Sequence, residues 1–516
     1  MVRRMARRSP AVATPLPRHV ETPPSTAPTP LRILMVASEV APFSKTGGLA
    51  DVASALPQAL GRAGHEVTLV TPRYRGLSVG QWVTDVSAAM AGRTFAAGLF
   101  EEPLGVGARA LFVDCPPLYD RAGLYNAGQV DYADNPLRFA FLTIAALEWA
   151  AVQTTPVQVV HAHDWQAGLT AAYLAQHFSH HPALGRLPTV FTVHNLAYQG
   201  VADKAWLPRL GLGWDLFTLR GLEFWDRISF LKAGINFSDA VTTVSPTYAA
   251  EIQRPEYGVG FDGVMRARAE ALVGILNGID SALWNPAADP LLPAPFTATA
   301  LAGKASAKRA VLDAFGLPTS DAAMRRPLIG MVSRLVDQKG FDLVAQVAEP
   351  LVDLDAAFVV LGSGEVRYEQ MWRALAARRP ETVAVYVGFD ERRAHLIEGG
   401  ADLFLMPSRY EPCGLNQMYS QRYGTVPVVR ATGGLIDSVR PWDTATGTGT
   451  GFLFGDYSGE AMLAAVGHAL DVFGRPAEWR KLQQNGMETD FSWDRSAREY
   501  VKVYNRVIAA RQTRRP

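Results

Sequence analysis

The chain has 516 residues, a formal net charge of +1, 48% hydrophobic residues and 19% charged residues. That length exceeds one ordinary core and predicts two domains of about 200–250 residues each, and the near-zero charge argues against a global basic face for nucleic acid or an anionic membrane. The two cysteines, Cys115 and Cys413, are too few for a disulfide framework and fit a reducing compartment, while no uncharged apolar run approaches the roughly 18 residues of a membrane span.

Residues 1–30 are rich in Pro, Arg, Ala and Thr, with Glu21 as their one acidic residue. Such a segment cannot bury enough apolar surface to fold alone, so it reads as a disordered extension. A transit peptide is the alternative, since those segments are Arg-rich and acid-poor; no apolar stretch follows the paired arginines, which argues against a secretion signal.

From residue 31 the pattern becomes strand, loop and helix, repeated. LRILMVA (31–37) is apolar without polar alternation, as expected of a strand buried on both faces. VTLV (67–70), ALFVD (110–114), VQVVHAH (157–163), PTVFTVH (188–194), AVTTVS (240–245) and LVGILNG (272–278) follow, with helical stretches at 53–64 and 137–152. Residues 284–326 break the rhythm, although 303–315 has helical character. A second series then runs through 327–335, 357–364, 383–388, 402–408 and 426–430. This alternation predicts an α/β protein with two doubly wound parallel-sheet domains. The expected division is an extension over 1–30, a first domain over 31–278, a second over 279–490 and a final helical segment over 491–516. In that segment Tyr500, Tyr504, Val507 and Ile508 fall on one stripe.

Ligands of open α/β sheets bind beyond the C-terminal strand ends, so the segments just after each strand carry the chemistry. SEVAPFSKTGGLADV (38–52) follows the first strand. Its Gly47 and Gly48 allow close backbone approach or a simple tight turn, the following helix N-terminus favours phosphate, and Lys45 adds a charge. SRLVDQKG (333–340) holds the corresponding place in the second series. There Arg334 and Lys339 either neutralise a departing diphosphate or lie solvated on the surface. In RYEPCGLNQ (409–417), Pro412 steers Glu411 away from helical geometry, Cys413 and Gly414 permit close packing, and the carboxylate suits sugar hydroxyls. TGGL (432–435) adds a second glycine turn. HAHDWQAG (161–168) and TVHNLAYQG (192–200) end two strands in Asp164, His194 and Asn195, which can bond hydroxyls, and in Trp165 and Tyr198, which offer flat apolar faces. Asp353 and Asp355 form a D-x-D at the opposite strand end, where a turn is the better reading. No metal site is expected.

Taken together, KTGGLADV, HAHDWQAGL, TVHNLAYQG, NGID, SRLVDQKG, PSRYEPCGLNQ and TGGL resemble the bacterial glycogen synthase and plant starch synthase family, in that family's order, from about Arg32 to about Tyr504. The resemblance implies a GT-B fold: two Rossmann-like domains facing across a cleft, with a final helix crossing back to the first. It implies retaining transfer of glucose from ADP-glucose to an α-1,4-glucan, with no resident cofactor, no nucleic-acid or membrane partner, and a cytoplasmic location (or a plastid one, if 1–30 is a transit segment). No motif sets the oligomeric state. By the same resemblance, His194, Arg334, Lys339 and Glu411 are catalytic. Lys45, Gly47, Gly48, Asp164, Asn195, Asn277, Cys413, Gly414, Thr432, Gly433, Gly434 and Leu435 line the substrate sites, and Glu39 and Tyr125 are acceptor candidates. Many members of the wider retaining superfamily carry E-x7-E; here Tyr419 stands eight residues after Glu411. A UDP-glucose donor, a silent glucan-binding homologue and a phosphorylase are the competing readings. The last would need a pyridoxal-phosphate lysine motif, which is not seen.

Overall fold

The computed structural model describes residues 30–128 and 130–513. The readings of residues 1–29 as a disordered or transit extension lie outside the described residues. Strands β1 (Arg32–Val36), β2 (Glu66–Pro72), β3 (Gln81–Met90), β4 (Arg93–Gly105), β5 (Ala108–Asp114), β6 (Val159–His163), β7 (Thr189–Val193), β8 (Ala240–Thr243) and β9 (Leu272–Gly274) form one sheet, in the order β9-β8-β7-β6-β1-β2-β5-β4-β3. Strands β10 (Leu328–Val332), β11 (Ala357–Gly362), β12 (Val383–Val387), β13 (Leu403–Met406), β14 (Val426–Arg430) and β15 (Phe452–Phe454) form a second sheet, in the order β12-β11-β10-β13-β14-β15.

The second sheet is parallel throughout. The first is parallel except where β3 and β4 add an antiparallel edge beside β5. That edge was not foreseen. Its strands expose many residues on one side, so they lack the continuous apolar runs of the interior strands, and they turn at Ala91 and Gly92, both at positive φ. The interior strands have both faces covered. Leu34 and Val36 join one core with helix α2 (Asn135–Ala151), while Ile33 and Met35 join another with helix α1 (Gly48–Arg62).

Strand order reverses beside β1 in the first sheet and beside β10 in the second. In each half the reversal puts two loops side by side at the C-terminal edge: those after β1 and β6, and those after β10 and β13. Four of the motif segments sit in these loops, as expected for a ligand crevice at a switch point.

The remaining elements tie the halves together. Helices α3 (Pro246–Glu251), α4 (Asn416–Arg422) and α5 (Gly433–Ser438) lie near the cleft, and α6 (Trp493–Thr513) closes the described chain. The chain passes from the first sheet to the second beyond Gly278 and returns at Ser492, and the two crossings pair: the Ile279 N–H donates to the Phe491 carbonyl at 2.8 Å. Helix α6 then packs on α1, burying Trp493, Ala497, Tyr500, Tyr504 and Val507. It is pinned by Arg62–Asp494 at 2.7 Å, by Ser496 Oγ donating to the Leu276 carbonyl at 2.6 Å, and by Arg511–Asp239 at 2.8 Å. No helix among the described residues is long and apolar enough to cross a membrane.

Candidate active site

A cavity of about 740 Å³ lies between the two sheets, lined from both halves. That is the size of a small-molecule site. The first half contributes Glu39, Gly47, Gly48, Tyr125, Asp164, His194, Asn195 and Asn277 to its wall. The second contributes Arg334, Lys339, Glu411, Cys413 and Gly414. Residues up to 375 positions apart in sequence therefore meet, because each follows a strand of one of two facing sheets.

The cationic side is built on the second sheet. Lys339 Nζ donates to Glu411 Oε2 at 2.6 Å, and Ser408 Oγ donates to the same oxygen at 3.1 Å. Arg334 Nη2 donates to Gln338 Oε1 at 3.0 Å. Glu411 is buried while Arg334 keeps solvent contact, so the carboxylate fixes the lysine while the guanidinium stays free to meet an incoming anion.

The polar side is built on the first sheet. Asp164 follows β6 at φ 55°, a strained setting for a residue with a side chain. Its Oδ1 accepts the His194 backbone N–H at 2.7 Å, which locks the loop after β6 to the loop after β7. Burial pushes the Asp164 carboxyl up to about 7 and the His194 imidazole down to about 3, so His194 is neutral near pH 7. Asn277 Oδ1 is buried without a protein partner. Trp165 and Tyr198 also line the cavity, as their flat faces suggested. A Cβ built on Gly47 would meet nothing, and one on Gly48 only Leu415 at 3.9 Å, so these glycines keep cavity space open rather than fit against protein. Glu39 is engaged within its own half: Oε1 accepts Thr46 Oγ1 at 2.6 Å and the Tyr125 hydroxyl, and Oε2 accepts the Thr46 N–H.

Two groups of expected site residues lie off the cavity wall. Lys45 does not line the cavity; it is exposed and paired with Asp51 at 2.7 Å in the first turn of α1. Thr432, Gly433, Gly434 and Leu435 do not line it either. They are buried behind it, because their glycines accommodate backbone rather than ligand. A Cβ on Gly433 would lie 1.9 Å from the Glu411 carbonyl oxygen, and one on Gly434 2.1 Å from that of Cys413. The TGGL turn is the support against which the Glu411 loop rests. Tyr419, in the E-x7-Y position, is buried away from the cavity: Trp284 lies flat between its ring, at 3.8 Å, and that of His395, at 4.0 Å. Asp353 and Asp355 pair with Arg379 and Arg326 on the far side of the sheet.

Sequence reasoning also missed residues. Glu251, at the end of α3, accepts from Thr432 Oγ1 at 2.9 Å and from the Gly433 N–H at 3.0 Å, across the two halves. Nothing in its local sequence marks it. His161 and His163 stand on β6 two residues apart, so the strand period puts them on one face; that spacing was the available signal.

The description "Starch synthase catalytic domain" fits residues 32–267, and "Glycosyl transferases group 1" fits residues 318–482. The chain is 49% identical to a glycogen synthase of Anaeromyxobacter dehalogenans over 93% of its own length and 100% of that protein's. The chain belongs to the glycogen and starch synthase family. A glycogen synthase of Koribacter versatilis is 46% identical over 94% of this chain and 99% of its own. Among solved structures, the catalytic domain of starch synthase IV from Arabidopsis thaliana, bound to ADP and acarbose, superposes with a TM-score of 0.85 at 32% identity, covering 93% of this chain and 100% of that one. The synthase-family chain is thus a glycosyltransferase of GT-B fold, with its final helix returned to the first half.

Proposed function

We propose that this glycosyltransferase moves glucose from ADP-glucose to the 4-hydroxyl at the non-reducing end of an α-1,4-glucan, with retention of configuration, and releases ADP. The observation that carries the reading is the division of the cavity wall: Arg334 and Lys339 on one side, and neutral His194 with Asp164, Asn195 and the unpartnered Asn277 Oδ1 on the other. A diphosphate and a sugar need opposite walls of this kind. The starch synthase that holds ADP and acarbose supports the same pairing of ligands.

The buried carboxylates of the wall support a front-face course rather than a double displacement, which needs a free nucleophile beneath the anomeric carbon. Glu39 is held by Thr46 and Tyr125, Glu411 by Lys339 and Ser408, and Asp164 by the His194 backbone. In the front-face course the bond from C1 to the phosphate oxygen breaks as the bond from C1 to the acceptor oxygen forms, and the acceptor proton passes to the departing phosphate. Arg334 and Lys339 stabilise the growing phosphate charge. His194 and Asn277 hold the sugar. The two cations do the neutralising that a metal would otherwise do, so activity is expected to survive a chelator. The two cysteines are free and buried, which favours the cytoplasm.

The test is incorporation of labelled glucose into glycogen, with ADP-glucose and UDP-glucose side by side and with chelator present. Incorporation from ADP-glucose at a rate well above that from UDP-glucose is the expected result. Equal or reversed rates overturn the donor assignment, and no incorporation by folded protein overturns the reaction.

A further inference from the structure

His163 is not assigned to the site by the family motifs, and it does not line the cavity. It is fully buried at the end of β6, and its Nδ1 lies 3.0 Å from Nε2 of His194. The two rings are 5.3 Å apart and tilted by 35°. The other side of His163 rests against His161 at 4.0 Å. His161 is itself fixed: Nδ1 lies 2.8 Å from the Tyr504 hydroxyl of α6, and Nε2 lies 2.6 Å from Thr192 Oγ1. The row His161–His163–His194 therefore runs from the returning helix to the wall of the cavity.

A hydrogen bond between two imidazole nitrogens holds one proton. Burial keeps both His163 and His194 well below the usual imidazole range, so each ring is neutral and carries one N–H. Two arrangements follow. If His194 Nε2–H donates, His163 must carry its own proton on Nε2. That nitrogen is buried and has no partner, so an N–H group would be stranded without an acceptor. If His163 Nδ1–H donates, the stranded atom is a bare lone pair. Orphaned buried N–H groups are rare in folded proteins, so the second arrangement is favoured. It has one consequence at the cavity. His194 then accepts on Nε2 and carries its proton on Nδ1, the ring nitrogen with no protein partner among the described residues.

We propose that His163 is a positioning residue that fixes the tautomer of His194, so that His194 presents an Nδ1–H donor to a sugar oxygen. The proposal deepens the reading of His194 as a sugar contact and rests on it. With His163 in place, the one lone pair of the His194 ring is taken up by His163, and the polar group left over is an N–H. A hydroxyl or ring oxygen of the bound glucose must therefore act as acceptor, and an analogue lacking that acceptor is discriminated against.

The experiment labels the histidines of the full-length protein with nitrogen-15 and reads the tautomer of His194, using His194→Gln to identify its signals. The expected result is a neutral Nδ1–H ring in the wild type. A neutral Nε2–H ring overturns the proposal whatever the kinetics show. Two variants add a functional readout. His163→Phe keeps a flat ring against His161 but removes the donor, while His163→Asn places an amide N–H near the original Nδ1. His163→Phe is expected to release the His194 tautomer and to lower kcat by about 10–100-fold with a smaller change in the donor KM, and His163→Asn is expected to restore most of kcat. Wild-type kcat in His163→Phe, or no recovery in a folded His163→Asn, overturns the positioning role. Should His163→Phe fail to fold, the wild-type tautomer decides. Full activity in His194→Gln would instead sink the sugar-contact reading, while the tautomer measurement still stands.

Discussion

At the residue scale, Asp164 joins two costly conditions: a positive φ and complete burial of its carboxyl beside the cavity. Both are characteristic of functional positions. Because burial raises its pKa to about 7, above the ordinary carboxylate value, the fold favours the protonated form. Its contribution to stability is therefore complete below about pH 4 and is lost as pH rises toward 7. Asp164→Asn should look less stable than wild type, or equal to it, at pH 5, and should gain on it by pH 8; thermal melts of both proteins across that range check the sign. For the cations, Arg334→Ala should cut kcat by about 10²–10³, read by single-turnover transfer from ADP-glucose; a nearly normal rate would remove Arg334 from the mechanism. Much of this wall was legible in the sequence, because the residue after a buried parallel strand has one place to go. The two glycine pairs of the motifs meet different surroundings. A glycine pair announces a close approach but not what approaches. At Gly47 and Gly48 it is open space; at Gly433 and Gly434 it is the backbone of residues 411–413.

At the element scale, α3 and α5 belong to different halves and satisfy one another's ends. Ser245 opens α3 by accepting the Tyr248 N–H at 3.2 Å while donating to the Pro412 carbonyl at 2.7 Å. Asp437 near the end of α5 accepts the Thr247 N–H and hydroxyl at the start of α3, both at 2.8 Å. Glu251 at the end of α3 does the same for Thr432 and Gly433 at the start of α5. Each short helix thus borrows a carboxylate for the N–H groups it cannot satisfy itself. Glu251→Gln and Asp437→Asn should each cost about 1 kcal/mol, and the double variant less than the sum if the contact is already loosened by one; denaturant titrations of the three variants check this. None of this was readable beforehand, since the partners are about 180–190 positions apart and carry no shared spacing. The β3–β4 hairpin was missed for a different reason: its exposed face imitates loop composition.

At the scale of the whole molecule, two sheets face each other and the chain crosses between them twice. The crossings are bonded at Ile279 and Phe491, and Gly278 packs so closely on Trp493 that a Cβ would sit 2.6 Å from its backbone nitrogen. Paired crossings beside a cleft form a hinge, so binding of the donor to both walls is expected to draw the halves together. Small-angle scattering should show a smaller radius of gyration with ADP-glucose than without, and an unchanged curve at saturating donor would count against closure. The doubly wound pattern of both halves was legible because buried parallel strands read as continuous apolar runs. The facing of the two halves across a cleft came from the family resemblance alone, because apolar periodicity within one half says nothing of the other.

The returning helix also sets an order in time. Tyr504, which fixes His161, is made 343 residues after it. A ribosome can release every recognisable motif of the first half, and that half can pair its strands, long before the row behind His194 has its far anchor. A chain cut short before Tyr504 would carry all the sequence signatures of a synthase while lacking the far anchor of that row.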